Sequence, residues 1–195
     1  MRNLAAVLLA GGRSTRMKTN KAFLDFKGMP MWRFQMEKLI QLRPNELFFS
    51  IQPGMEFPAG PWEFVFDRSV GLGPVGGLEA ALRQTSSDLL VTLAVDMPGM
   101  NADFLSNLLE ESGSAGVVPF VEGFYCGGVA VYPVKILPLV ETILSGSDRS
   151  FQHLMREALQ SGLMRAKQVP PERWPLFENW NIPEDQQRSE STLSE

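Results

Sequence analysis

The chain of 195 residues has one cysteine, Cys126, and one histidine, His153. A single cysteine excludes a disulfide framework and a cysteine-based zinc site, and it fits a reducing compartment. There is no excess of positive charge: 18 Lys and Arg stand against 22 Asp and Glu, a net charge of −4. Nothing here marks a general nucleic-acid or membrane binder. Long hydrophobic runs are missing as well. After Met1-Arg2-Asn3 comes a six-residue apolar stretch, Leu4 to Leu9, too short for a signal-peptide core or a membrane span. The expected location is the cytoplasm. No Gly-Lys-Ser/Thr occurs, so a Walker A loop is excluded.

What remains is ordinary globular composition, 44% hydrophobic and 21% charged. The pattern predicts one domain over residues 1–185, followed by a polar tail, 186–195, that frays. Leu4 to Leu9 reads as a buried strand stopped by Gly11-Gly12. Pro30 to Leu42 reads as a helix with Trp32, Met36, Leu39 and Ile40 on its buried face, ended by Pro44. Strands follow at Glu46 to Gln52, Glu63 to Phe66 and Asp88 to Val95, and a helix at Gly76 to Gln84 with Leu78, Ala81 and Leu82 buried. Further helices are expected near 101–111, 133–145 and 149–160, and strands near 115–121, 125–132, 163–169 and 175–178. Strands alternating with helices imply an α/β fold, a mostly parallel sheet with helices on both faces. Ligands of such sheets sit beyond the carboxyl ends of the strands. That rule points to the loops after Leu9 and after Val95.

One motif misleads. Gly71-Leu-Gly73-Pro-Val-Gly76 matches the dinucleotide fingerprint, with Asp96 twenty residues further on. The residues Asp67 to Val70 separate it from its strand, however, and Pro74 removes a backbone N–H from the phosphate-binding stretch. An NAD-dependent oxidoreductase would also leave the cations of the first loop without a role.

That loop, "LAGGRSTRMKTNK", places Arg16 and Lys21 five residues apart after two glycines. Glycines let backbone N–H groups converge on phosphate, Arg grips it as a fork and Lys as a point charge. A solvated basic loop is the plainer alternative. In "LAVDMP", Asp96 stands at the tip of the strongest strand. Mg²⁺ takes one or two carboxylates plus substrate phosphate oxygens, whereas the bland role, helix capping, can fall to Asn101. Asp67 is a second carboxylate on the same side if its strand is parallel, with structural and functional readings equally open. In "ENWNIPED", Asn179 and Asn181 share a face of an extended segment, where their amides can orient metal-bound water or ribose hydroxyls. Asn before Pro also simply makes turns. His153, in the helical "SFQHLMREAL", reads as a surface or cofactor-edge residue.

Leu-Ala-Gly-Gly, Arg16-Met17, Lys21, the "GP" with its glycines, Asp-Met-Pro and the late Asn-x-Asn-x-Pro-Glu-Asp resemble the molybdenum cofactor guanylyltransferases of the MobA type. These belong to the nucleotidyltransferases with a Rossmann-like fold. The resemblance implies that Leu9, Ala10, Gly11 and Gly12 contact the nucleotide and that Lys21 binds its phosphates. Asp67 would lie near base and ribose, and Asp96 would hold Mg²⁺ with Asn181 nearby. Arg16, Lys21 and Asp96 would form the catalytic set. Implied partners are GTP and molybdopterin, with maturation proteins of molybdoenzymes as a further class. Two departures make the loop more basic than is usual: Lys18 replaces the Gly after Arg-Met, and Asn20 replaces the Asp before Lys. Val95 stands where relatives often have Cys. Three alternatives stay open: a cytidylyl or other nucleotidyl transfer to a different phosphate acceptor, the oxidoreductase above, and a non-catalytic carrier of molybdenum cofactor.

Overall fold

The computed structural model describes residues 3–11, 21–69 and 71–180. Its centre is β1 (Leu4–Leu9), all six of whose residues are buried. A strand sends alternate side chains to opposite faces, so a strand buried on both must be apolar throughout. Here Leu4, Ala6 and Leu8 enter one core and Ala5, Val7 and Leu9 the other.

After β1 a 3₁₀ turn (Lys21–Phe23) leads into a small hairpin, β2 (Asp25–Phe26) and β3 (Met29–Pro30). Its two-residue loop, Lys27-Gly28, has positive φ at both positions, 53° and 81°, the conformation that matches hairpin twist. Helix α1 (Met31–Gln41) follows, then β4 (Glu46–Ile51), β5 (Glu63–Phe66), α2 (Pro74–Gln84) and β6 (Leu89–Ala94). The rest comprises α3 (Ala102–Ser112), β7 (Gly116–Val121), β8 (Phe124–Tyr125) and β9 (Val129–Pro133). It ends with α4 (Leu137–Ser145), α5 (Phe151–Gln160), β10 (Met164–Gln168) and a 3₁₀ segment, Pro171–Phe177.

Among the described residues the main sheet has eight strands, in the order β10-β7-β9-β6-β1-β4-β5, with β8 paired to β7. β1 pairs in parallel with β4 on one side and β6 on the other, and β5 is parallel to β4. β9 runs antiparallel between β6 and β7. Apolar residues of α1 and α3 fill the first core, and those of α2, α4 and α5 fill the second. This is the expected mostly parallel sheet with helices on both faces. No helix among the described residues is long and apolar enough to cross a membrane.

Three expectations need correction. The strand expected near 175–178 is 3₁₀ helix, because Pro171 and Pro175 lack ladder donors and the apolar Phe177 instead packs edge-on to Phe104 at 5.3 Å. The strand expected at 125–132 is divided by a turn into β8 and β9. On α1, Trp32, Met36 and Leu39 are buried as expected, but Ile40 is 40% exposed while Gln35 and Lys38 are buried. The tail at 186–195 lies outside the described residues.

At the start of β7, a Cβ on Gly116 would come within 2.5 Å of the Val131 carbonyl and 2.6 Å of the Pro133 ring. Backbone and ring cannot retreat as a flexible side chain can. Gly116→Ala is therefore expected to cost about 1–3 kcal/mol, read as a lower urea midpoint with an unchanged slope. A midpoint equal to wild type would show that this corner is looser than its geometry indicates.

Candidate active site

β1, β4, β5 and β6 run in the same direction, so the loops that leave them emerge along one edge. The chain visits β4 and β5 on one side of β1 before crossing to β6 on the other. That reversal opens a crevice at the strand ends, where α/β sheets bind ligands. A cleft of about 460 Å³ lies there.

Its floor is Leu9, Ala10 and Gly11 from β1, Ser50 from β4 and the stretch Ala94 to Met97 after β6. Register explains the convergence, since Leu9 pairs with Ser50 and with Ala94. The Leu9 carbonyl then accepts from Val95 N–H at 3.1 Å, and Ala10 N–H donates to the Ser50 carbonyl at 3.0 Å. The Gly11 carbonyl accepts from the Gln52 side chain. This edge is held rigid from both neighbours, and the Ala10 N–H is already committed.

Lys21 and Asp96, 75 residues apart in sequence, meet in the cleft with Nζ 3.1 Å from Oδ2. Asp96 is free for such a role because Asn101 caps α3, its side chain accepting from Phe104 N–H at 2.8 Å. The Asp96 carbonyl accepts from Trp180 N–H at 2.8 Å, which brings the 178–180 segment, including the cleft residue Asn179, beside it. Gly12, Arg16 and Asn181 lie outside the described residues.

Asp67 also lines the cleft, as its parallel strand required. Burial, and then the neighbouring Glu79 carboxylate, push its carboxyl up to about 6. Glu79 is fully buried, with Oε1 held by Arg68 and Arg83. Gly73, Pro74 and Gly77 place the start of α2 at the cleft, although Pro74 has no N–H and Gly76 N–H donates to the Gly73 carbonyl at 3.0 Å. Of the glycines of the misleading motif, Gly73 lines the site. Gly76 and Gly77 permit close packing, since a Cβ on either would collide with Leu72 or Ser50.

The opposite wall comes from Phe124 to Gly128 and from Phe151 and Gln152 of α5. Gln152 donates to the Tyr125 carbonyl at 2.7 Å and accepts from Tyr125 N–H at 3.1 Å, fastening the hairpin to the helix. Residue patterns did not reveal this wall, because its members are single aromatics in a short hairpin. Ser50 was missed too, although a serine amid "ELFFSIQ" is a polar break in an otherwise buried strand. Cys126 is in the cleft, but burial pushes its thiol up to about 11, so it is no ready nucleophile. His153 Nδ1 lies 2.8 Å from the Asp148 carbonyl on the surface of α5, in the role expected of it.

An α/β sheet with a lysine ammonium beside a strand-tip carboxylate, at the reversal of strand order, fits a nucleotidyltransferase. The family model for the MobA-like NTP transferase domain matches residues 6–163. The chain belongs to that family. A probable molybdenum cofactor guanylyltransferase of Opitutus terrae is 32% identical over 191 residues, covering 95% of this chain and 94% of its own. Among solved structures, molybdopterin-guanine dinucleotide biosynthesis protein A from Archaeoglobus fulgidus is similar at TM-score 0.72 and 20% identity, over 98% of each chain. A 2-C-methyl-D-erythritol 4-phosphate cytidylyltransferase from Thermus thermophilus is similar at TM-score 0.71 and 15% identity, over 100% of each. Fold alone therefore does not separate the bases; it is membership of the MobA-like NTP transferase family that sets the oxidoreductase alternative aside.

The raised carboxyl of Asp67 has a measurable consequence. Its proton is held more tightly in the folded chain, so its stabilising contribution is full below about pH 4 and lost as pH rises through about 6. Asp67→Asn never acquires the charge. It should melt above wild type at about pH 7.5, by about 1–2 kcal/mol after allowance for solvent screening. The gap should close below about pH 4, where the carboxyl is neutral in the unfolded chain as well. Parallel stability–pH curves for the two proteins would contradict the assignment.

Proposed function

We propose that this protein transfers the guanylyl group of GTP to the terminal phosphate of molybdopterin, giving the guanine dinucleotide and pyrophosphate. The observation that carries the reading is the meeting of Lys21 and Asp96 in the cleft beside Leu9, Ala10 and Gly11. The names of the curated relatives support the choice of nucleotide and acceptor.

Nucleotidyl transfer needs alignment and charge neutralisation more than proton transfer, because a phosphate monoester is already anionic at neutral pH. Its oxygen attacks the α-phosphorus of GTP, the bond to the bridging oxygen breaks, and pyrophosphate leaves with that electron pair. Lys21 neutralises charge on the departing group, and Arg16 of the same loop is assigned the same task. Gly11, with no side chain, lets the nucleotide lie close to the strand end. The Asp67 carboxylate accepts from a ribose hydroxyl, and Phe124, Tyr125 and Phe151 offer a flat face to the pterin rings.

Asp96 is the residue that would hold Mg²⁺, with Asn181 as a weaker second. Among the described residues no cluster of three His, Cys, Asp or Glu could hold a metal by itself. A partly exposed single carboxylate fits a hard ion that completes its shell with phosphate oxygens and water. Bound there, the ion would add Lewis-acid charge neutralisation at the phosphates.

The test is pyrophosphate release from GTP, CTP and ATP with Mg²⁺, with and without molybdopterin, followed by identification of the product. GTP should be preferred widely, because a pocket that satisfies guanine's acceptor–donor–donor edge leaves cytosine's groups unpaired. Asp96→Ala and Lys21→Ala should each lower kcat by about 10²–10³-fold, with a smaller change in guanosine binding. Cytosine dinucleotide as main product would overturn the guanylyl assignment and leave the nucleotidyltransferase standing. Wild-type rates in both variants would overturn the mechanism.

A further inference from the structure

The turn that carries Asp96 is braced from behind by two polar side chains of α1. Gln35 is 0% exposed and Lys38 is 8% exposed, in a face otherwise filled by Trp32, Met36 and Leu39. Gln35 Nε2 lies 3.2 Å from the Ala94 carbonyl, 3.4 Å from that of Val95 and 2.7 Å from that of Met97. Its Oε1 accepts from Lys38 Nζ at 2.6 Å, and the same ammonium donates to the Pro98 carbonyl at 2.8 Å. Lys38 Nζ also sits 4.1 Å from the centre of the Phe34 ring. The two hydrogens of Gln35 Nε2 are shared among the carbonyls of Ala94, Val95 and Met97, and Met100 N–H also donates to that of Met97 at 3.1 Å. With Trp180 N–H on the Asp96 carbonyl, each carbonyl from Ala94 to Pro98 has a donor within reach.

Apolar side chains would fill a helix–sheet interface at lower cost than an amide and an ammonium. Burial, and next the nearby Lys27, pull the Lys38 ammonium down to about 7, which shows how strongly the site disfavours the charge. Such a pair stabilises the fold only weakly, but it fixes the direction of each peptide it binds. We propose that Gln35 and Lys38 are positioning residues that hold the turn from Ala94 to Pro98 and so aim the Asp96 carboxylate at Lys21 and the metal ion. The inference rests on the reading of Asp96 as the metal-binding residue.

Gln35→Leu and Lys38→Met remove the donors at similar volume. Leu39→Val, a buried apolar change on the same helix, is the control for lost stability alone. Binding of Mn²⁺ with the unreactive α,β-methylene analogue of GTP is followed by water-proton relaxation, and amide exchange is followed at residues 94–97. The two donor variants should weaken Mn²⁺–nucleotide binding about 10- to 100-fold, speed exchange in the turn, and lower kcat more than they raise KM for GTP. Leu39→Val should lower the melting temperature and leave all three unchanged. If one donor variant does not fold, the other decides, since each removes part of the same brace. Donor variants that bind Mn²⁺ as Leu39→Val does, while Asp96→Ala binds it poorly, overturn the positioning role alone. Asp96→Ala binding as wild type overturns the metal reading and this inference together.

Discussion

The site depends on the parallel pairing of β1 with β6, which ends both strands at the same level. Leu9 lies beside Ala94, and the next residues on each strand turn into the cleft. Slippage by one residue would exchange the faces of β1, sending Leu4 and Leu8 into the core built for Ala5 and Val7. The volumes do not match, so register is held by packing on two sides. The geometry of the cleft therefore inherits its precision from side chains that lie outside it. Lys21 reaches Asp96 because the strands stop together.

Behind this edge the structure spends polar groups where apolar ones would pack. Ser50 and Thr92 are buried within strands, Gln35 and Lys38 under α1, and Glu79 in α2. Glu79 is the extreme case. Two arginines share its Oε1, while its buried Oε2 has no hydrogen-bond partner among the described residues. An arrangement of this kind is costly to the fold, and it sits directly beneath Asp67 and the start of α2. Burial, and next the charge of Glu79, raise the Asp67 carboxyl to about 6. Stability is thus surrendered next to the cleft and recovered in the two apolar cores.

Much of this was legible in the sequence. Leu4 to Leu9, the buried face of α2 and the strand before Asp96 follow from short apolar runs and helical spacing, which a fully buried sheet produces directly. The rule of strand ends pointed to the loops after Leu9 and Val95, while the contact between Lys21 and Asp96 came only with the structure. The hairpin at Asp25 to Pro30 was invisible, because two-residue strands containing Asp25 have no period to detect. Phe177 misled, since an apolar run between prolines resembles a strand until the missing donors are counted. On α1 the clue was a gap: Gln35 lies three residues after Trp32 and four before Leu39, where the pattern calls for an apolar side chain. A polar residue at such a position is either an error of assignment or a group with a partner to find.

The two walls of the cleft differ in what they present to it. The Asp96 turn is tied carbonyl by carbonyl to α1 and to Trp180, so its carboxylate has little freedom. The facing hairpin is bonded to α5 through Gln152 and Tyr125, to β7 through the β7–β8 pairing and to β9 through Tyr132 OH on the Gly127 carbonyl at 2.6 Å. It presents Phe124 with 65% of its surface exposed. Charge neutralisation at a phosphate decays steeply with misplacement, whereas contact with a flat ring tolerates sliding along the aromatic face. In the proposed function, the polar wall at the strand ends serves charge neutralisation, and the exposed Phe124 ring on the facing wall serves contact with the acceptor.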